Sequence, residues 1–268
     1  MSRPLVIQDL YVYPIKSLAG IRLSEAKVEE RGFQLDRRWM LVDESGKFIS
    51  QRTFPLMVLL QVKIGEDSLT VYHQSNPDEL IRIPYDYEGE ENLSVKVWDD
   101  EMRASLVDKE FDNWFSSMLG MKVRLVKMPD TTERKVDPKY AVNGESVSFA
   151  DGMPYLLIGQ ESLADLNSRL DSPVSMNRFR PNIVFSGGDS FVEDSLKKIQ
   201  IGEVDFQVIK PCSRCVMVTV EQETGAKGAE PLKTLATYRK VGNKILFGQN
   251  MVALSTGVIR VGDELRPQ

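Results

Sequence analysis

Apolar and polar residues alternate with a period near two over much of the first hundred positions. Segments 5–13, 38–43, 56–64 and 68–73 carry this alternation and predict strands. Segments 44–47 and 65–68, rich in Gly, Ser and Asp or Glu, predict the hairpin turns between them. Segments 77–79 and 85–92 are polar and predict exposed loops. The period then changes. Phe111, Trp114, Phe115, Met118 and Leu119 recur at helical spacing and end at Gly120, which predicts an amphipathic helix with a glycine C-cap.

Strand character returns at 121–126. Segment 162–170 predicts a second short helix, with Ser162 and Asp165 suited to its start and Leu163, Leu166 and Leu170 on one face. Further strands are predicted at 182–185, 196–201, 205–208, 216–220, 251–254 and 257–261. There is no internal repeat and no low-complexity segment. The pattern describes a mainly β protein with some α. Its change near residues 110–125 divides the chain into a β-barrel-like N-terminal domain, 1–120, and a second domain, 121–268.

Composition narrows the function. The chain has 268 residues, 42% of them hydrophobic, enough for a sizeable core. Lys and Arg number 34 against 39 Asp and Glu, a net charge of −5, which argues against a duplex nucleic-acid partner. No apolar run approaches the ~18 residues of a membrane span, and Arg3, Pro4, Gln8 and Asp9 interrupt any signal-peptide core. A cytoplasmic protein without a membrane partner is the expectation. The single histidine, His73, lies in a predicted strand, so a histidine-based triad has one candidate and no obvious setting. Cys212 and Cys215 are the only cysteines. They cannot build a four-ligand zinc site, an iron–sulfur cluster or a disulfide framework.

Four polar clusters could carry chemistry. In Lys210-Pro-Cys-Ser-Arg-Cys215, two cations bracket a CxxC, an environment that favours the thiolate form needed by a nucleophile or metal ligand. A β-branched strand is expected after it, where thioredoxin-like proteins have a helix. Two buried small residues at a strand start would account for a bare CxxC equally well. Tyr13-Pro-Ile-Lys-Ser17 runs into a glycine turn that could hold a phosphate, although a solvated lysine there would be ordinary. Leu35-Asp-Arg-Arg-Trp39 places arginines at a strand entrance, each of which could also be a simple surface ion pair. In Asn177-Arg-Phe-Arg-Pro-Asn182, an extended chain would point Arg178 and Arg180 to one side, and Asn182 offers an amide for a heterocycle edge. Clusters of Arg, Lys and Asn at strand ends suit an anionic small molecule.

YPIKS, LDRRW, FADGMPYLLIGQESLADLNSRL, NRFRPNIV, PCSRCVMVTVEQETG and LFGQN occur in this order. Together they resemble the MOSC proteins, named after the C-terminal domain of molybdenum cofactor sulfurase, in the branch that also carries an N-terminal β-barrel domain. The resemblance spans nearly the whole chain and is nearest to the branch containing the mitochondrial amidoxime-reducing component and its bacterial relatives. It implies a C-terminal MOSC β-barrel and a bound molybdenum cofactor, the pterin molybdopterin with its metal. Cys215, the second cysteine of the motif, would ligate the metal and act as the catalytic residue, with Cys212 non-ligating. A soft thiolate suits molybdenum, and Arg214 beside Cys215 is expected to favour that form. The cofactor contacts implied are Lys16, Ser17, Arg37, Arg180, Asn182, Ser213 and Arg214, with Asp151, Gly152 and Met153 as a further loop. Asn250 stands where eukaryotic members carry an aromatic residue.

The resemblance further implies an oxidoreductase that reduces N-hydroxylated compounds, such as hydroxylaminopurines, amidoximes or hydroxylamines. A separate reductase of flavin or ferredoxin type would supply the electrons, because neither the ferredoxin-like extension of some bacterial relatives nor the membrane anchor of the mitochondrial ones is expected here. An alternative is a sulfur-transfer or cofactor-carrier protein using a Cys215 persulfide, since MOSC domains also occur beside a pyridoxal-phosphate desulfurase. The chain carries no recognisable pyridoxal-phosphate lysine motif of its own. A redox CxxC or purely structural β protein without metal is the third possibility.

Overall fold

The computed structural model describes residues 4–87, 89 and 91–268. Arg3 and two positions of the expected 85–92 loop, Glu88 and Glu90, lie outside them. Seven strands close into a barrel. In order around it they are Tyr155–Gly159, Ile183–Ser186, Leu5–Val12, Glu264–Pro267, Lys198–Ile201, Val204–Arg214 and Lys244–Ala253, which pairs back to the first. One neighbouring pair, Tyr155–Gly159 with Ile183–Ser186, is parallel, and the remaining pairs are antiparallel. Closure leaves the barrel proper without edge strands.

Pairing crosses the expected division at residue 120. Leu5–Val12, from the start of the chain, sits between two strands from its second half, Ile183–Ser186 and Glu264–Pro267, and its Ile7, Leu10 and Val12 fill the barrel core with Phe185, Phe206 and Leu265. Only a few residues later, Ile15 and Leu18 enter a second core with Trp39, Leu41, Phe111 and Phe115. The chain therefore passes from one core to the other at Tyr13 and Pro14. The N-terminal half holds a sheet of Leu60–Ile64, Ser68–His73 and Asn76–Pro84, and another of Trp39–Val42, Arg124–Lys127, Asp100–Leu106 and Asn92–Val97. Both expected hairpin turns form: Gly65 N–H donates to the Ser68 carbonyl, and the Asp43 carboxylate accepts from the amides of Ser45 and Lys47.

The helix Lys109–Leu119 follows its pattern. Asp108 caps it by accepting from the Glu110 amide, Gly120 ends it in the left-handed region, and Phe111 and Phe115 are buried. Other expectations change. Segment 77–79 lies inside the strand Asn76–Pro84, whose outer positions face solvent and therefore look like a loop. The 56–64 strand begins at Leu60, because Pro55 opens a 3-10 turn, Pro55–Leu59. The second helix runs Gln160–Asn167, and Ser162 is not its cap. Its hydroxyl is buried and donates to Glu193. Segment 216–220 is a 3-10 turn, Val216–Thr219, where a strand was expected. Among the described residues no helix is long and apolar enough to cross a membrane.

Candidate functional site

The passage between the two cores is also where the polar clusters meet. Tyr13 N–H donates to the buried Asp36 carboxylate, and Arg37 N–H donates to the Tyr13 carbonyl, which docks the second cluster on the first. The Tyr13 hydroxyl donates to the Pro181 carbonyl and brings in the third. Arg37 and Arg180 both stack on the Tyr13 ring, 4.3 and 4.1 Å from its centroid. Burial pushes the Tyr13 hydroxyl far above its ordinary value, with the two guanidiniums opposing, so it stays a neutral donor.

A cleft of about 340 Å³ opens beside this junction. All the implied contact residues line it: Lys16, Ser17 and Arg37 from the N-terminal half, the Asp151, Gly152 and Met153 loop, Arg180 and Asn182, Ser213, Arg214 and Cys215, and Asn250. Ser17, Arg37, Trp98 and Arg180 have positive φ values of 69°, 51°, 57° and 53°. They are four of the six non-glycine residues in that region among the described residues. Such conformations cost of order 1–3 kcal/mol each, and strain of this kind gathers at functional sites.

The cationic side chains are held before any ligand arrives. Lys16 is buried, and its ammonium donates to the Phe149 carbonyl and to Asp151, each at 2.7 Å. Burial brings its value down to about 8 against the opposing pull of Asp151, so it is a cation at neutral pH. Arg180 donates to the Leu18 carbonyl at 2.7 Å; burial lowers it to about 10 and leaves it charged. Arg37 is bound to Asp36 at 2.6 Å and to the Asn182 side-chain oxygen at 3.1 Å. The Asn182 amide also donates to the Tyr11 carbonyl, so both its ends have protein partners and it orients Arg37. Arg178 does not share the side of Arg180. Met176–Phe179 is a 3-10 turn, not extended chain, and Arg178 turns away toward Glu221 and Thr219.

The cysteine motif departs from expectation in its cation. Arg214 donates to the Cys212 sulfur at 3.0 Å and to the Phe179 carbonyl at 2.6 Å, so it does not address Cys215. Arg52 takes that place: its Nε–H donates to Cys215 Sγ at 3.3 Å and its Nη2 to Asp151 at 2.6 Å. Ladder register shifts between Pro211 and Ser213. That irregularity lies just before Arg214 ends its strand, with Cys215 following at the head of the Val216–Thr219 turn. Both thiols are free and half-buried. Asp151 is exposed to solvent at the cleft. Partial desolvation by the cleft wall works against its charge, but Lys16 and then Arg52 hold its carboxyl far below the usual carboxylate range.

Arg52 and Trp98 were missed in the sequence. Arg52 lies in Ser50-Gln-Arg-Thr53, which has no period and no motif that marks it. Trp98 is a large aromatic at the two-residue turn between Asn92–Val97 and Asp100–Leu106, two strands that the alternation pattern does not predict.

Five cations and one carboxylate line the cleft. Two guanidinium N–H groups in its wall, Arg52 Nη1 and Arg214 Nε, are buried without an acceptor. A buried unpaired donor costs about 1–3 kcal/mol, so the donor set is complementary to an anionic ligand. Among the described residues no three Cys, His, Asp or Glu gather as a metal cage. A metal here would bring most of its own ligands and take one thiolate from the chain. The residues present therefore fit an anionic, metal-carrying pterin.

A closed β-barrel joined to a second β domain, with two thiols and five cations lining a cleft at their junction, defines a two-part class of β protein. The chain belongs to the MOSC family, in its branch with a MOSC N-terminal β-barrel domain: the MOSC domain matches residues 144–266 and the N-terminal β-barrel domain residues 5–122. The mitochondrial amidoxime-reducing component 1 of Mus musculus is 34% identical over 96% of this chain and 80% of its own length. That of Homo sapiens is 32% identical over 96% and 81%. Molybdenum cofactor sulfurase of Arabidopsis thaliana is 33% identical over 90% of this chain, which spans 32% of that longer protein.

Proposed function

We propose that this chain binds a molybdenum cofactor in the cleft and reduces N-hydroxylated compounds to amines with electrons from a separate donor. The observation that carries the reading is the convergence of Lys16, Arg37, Arg180 and Arg214 with Cys215 in one cleft, from four distant stretches of sequence. The names of the relatives support it. Cys215 would supply the protein's sulfur ligand to the metal. Lys16, Ser17, Arg37, Arg180 and Arg214 would hold the phosphate and pterin, with Asn182 fixing Arg37 and the Asp151–Met153 loop, Ser213 and Asn250 completing the wall. When bound, the cofactor supplies two-electron redox chemistry. The net reaction is R–NH–OH + 2e⁻ + 2H⁺ → R–NH₂ + H₂O. Asp151 keeps Lys16 and Arg52 in place, and the cations around it keep its carboxylate ionised, so it is not a proton donor.

Metal and pterin analysis of protein made in a host that synthesises the cofactor tests this reading. Wild type should carry stoichiometric molybdenum and pterin. Cys215→Ala should lose the metal or the activity, while Cys212→Ala keeps much of both. Metal-free wild type overturns the proposal, and equal loss in both variants points to a dithiol or structural role. The similarity to molybdenum cofactor sulfurase favours a second reading, sulfur transfer through a Cys215 persulfide. A persulfide assay on Cys215 that was positive in the metal-free protein would select it.

A further inference from the structure

Arg52 and Trp98 line the cleft and have no part in the cofactor contacts assigned above. Trp98 is 47% exposed and sits at φ 57° in a tight turn. A bulky side chain is disfavoured there, and the position gives the ring no core to fill. Its contacts all lie in this corner. The ring packs edge-on against Phe48 at 5.3 Å, the Arg52 guanidinium lies over it 4.6 Å from the centroid, and its indole N–H donates to Asp151 at 3.3 Å. Arg52 is thus clamped between a ring and a carboxylate, with Nε–H aimed at Cys215 Sγ. Arg214, the other guanidinium of the motif, is committed to Cys212 and Phe179.

We propose that Arg52, clamped by Trp98 and Asp151, sets the reduction potential of the metal held at Cys215 by donating a hydrogen bond to its sulfur. The inference rests on the reading that Cys215 is the metal's ligand. A thiolate stabilises an oxidised metal by donating electron density. A cationic N–H on the sulfur withdraws part of that density, and its charge favours the added electron, so both effects raise the potential. Arg52 acts through Cys215 and is a positioning residue. The clamp matters because a guanidinium free to swing into water would deliver neither effect.

Redox titration of the holoenzyme, followed by the absorption of the bound metal and paired with metal and pterin analysis, tests the idea. Arg52→Gln should keep its molybdenum and move the couple to a more negative potential. The reduced-to-oxidised ratio at a fixed solution potential should fall about tenfold, which is about 59 mV for a one-electron couple. Arg52→Lys should recover part of the shift. Trp98→Phe should stay near wild type, and Trp98→Ala should move in the direction of Arg52→Gln. A loaded Arg52→Gln protein with an unshifted potential overturns this inference and leaves the cofactor reading standing. Should Arg52→Gln fail to fold or load, unshifted potentials in Arg52→Lys and Trp98→Ala overturn it equally. Wild type without molybdenum removes the cofactor reading and this inference together.

Discussion

Lys16 shows how one buried side chain ties the cleft to pH. Burial lowers its value from 10.5 to about 8, against the raising effect of Asp151. Between those values the unfolded chain holds a proton that the folded chain has lost, so this group's contribution to stability rises as pH climbs from about 8 to 10.5. Asp151 acts in the same direction at far lower pH. Its depressed carboxyl contributes stability that is full above the ordinary carboxylate range and is lost progressively as pH falls from that range toward the much lower folded value. Anion binding in the cleft would follow the charge on Lys16, not the stability. Inorganic phosphate should raise the melting temperature at pH 7 through the cationic cleft and lose much of that effect by pH 9, as Lys16 becomes neutral. Lys16→Met should show a smaller, flatter response. A phosphate effect with the same pH profile in Lys16→Met would assign the titration to another group.

Two glycines separate the cost of backbone conformation from the cost of space. Gly120, at the C-cap of Lys109–Leu119, has φ +65° and open surroundings. Gly248, within Lys244–Ala253, has φ +79°, and an added Cβ would stand 2.7 Å from Ile158 Cγ1 and 2.9 Å from the Leu157 carbonyl oxygen. Gly120→Ala should therefore cost about 1 kcal/mol, and Gly248→Ala about 2 kcal/mol or more because a clash with backbone adds to the strain. Urea midpoints measure both, and equal losses would refute the clash. The same distinction explains what was legible at this scale. The amphipathic helix was legible because its period, N-cap and glycine stop agree. Val216–Thr219 was not, because a Val-Met-Val-Thr run has strand composition while the packing of Val218 in a barrel-side cluster demands a turn. At the site, the cationic clusters and CxxC were visible as motifs. The partner of Cys215 was not, because Arg52 reaches it through tertiary packing across 163 positions of sequence.

At the scale of the whole molecule, the cleft exists only because the chain's first strand closes a barrel built otherwise from residues beyond 150. Lys16 and Arg37 follow that strand out of the barrel core and so arrive opposite Cys215. The same arrangement bears on how electrons would enter. Cys212 and Cys215 are the only cysteines in the 268 residues, and both line the cleft. These residues therefore hold no thiolates for a second redox centre, and they show no GxGxxG fingerprint for a nicotinamide dinucleotide. If the cofactor is bound as proposed, the purified chain should give little N-reductive turnover with NADH or NADPH alone. Turnover should appear with reduced viologen, or with an added flavin- or ferredoxin-type reductase. The two donors should differ in salt dependence. A small viologen enters by diffusion, whereas an acidic protein donor approaches a chain of net charge −5 and must find the basic ground near the cleft, so only its rate should change strongly with ionic strength. Rapid NADPH-driven reduction by the isolated chain would contradict this and would require a nicotinamide site elsewhere in the fold.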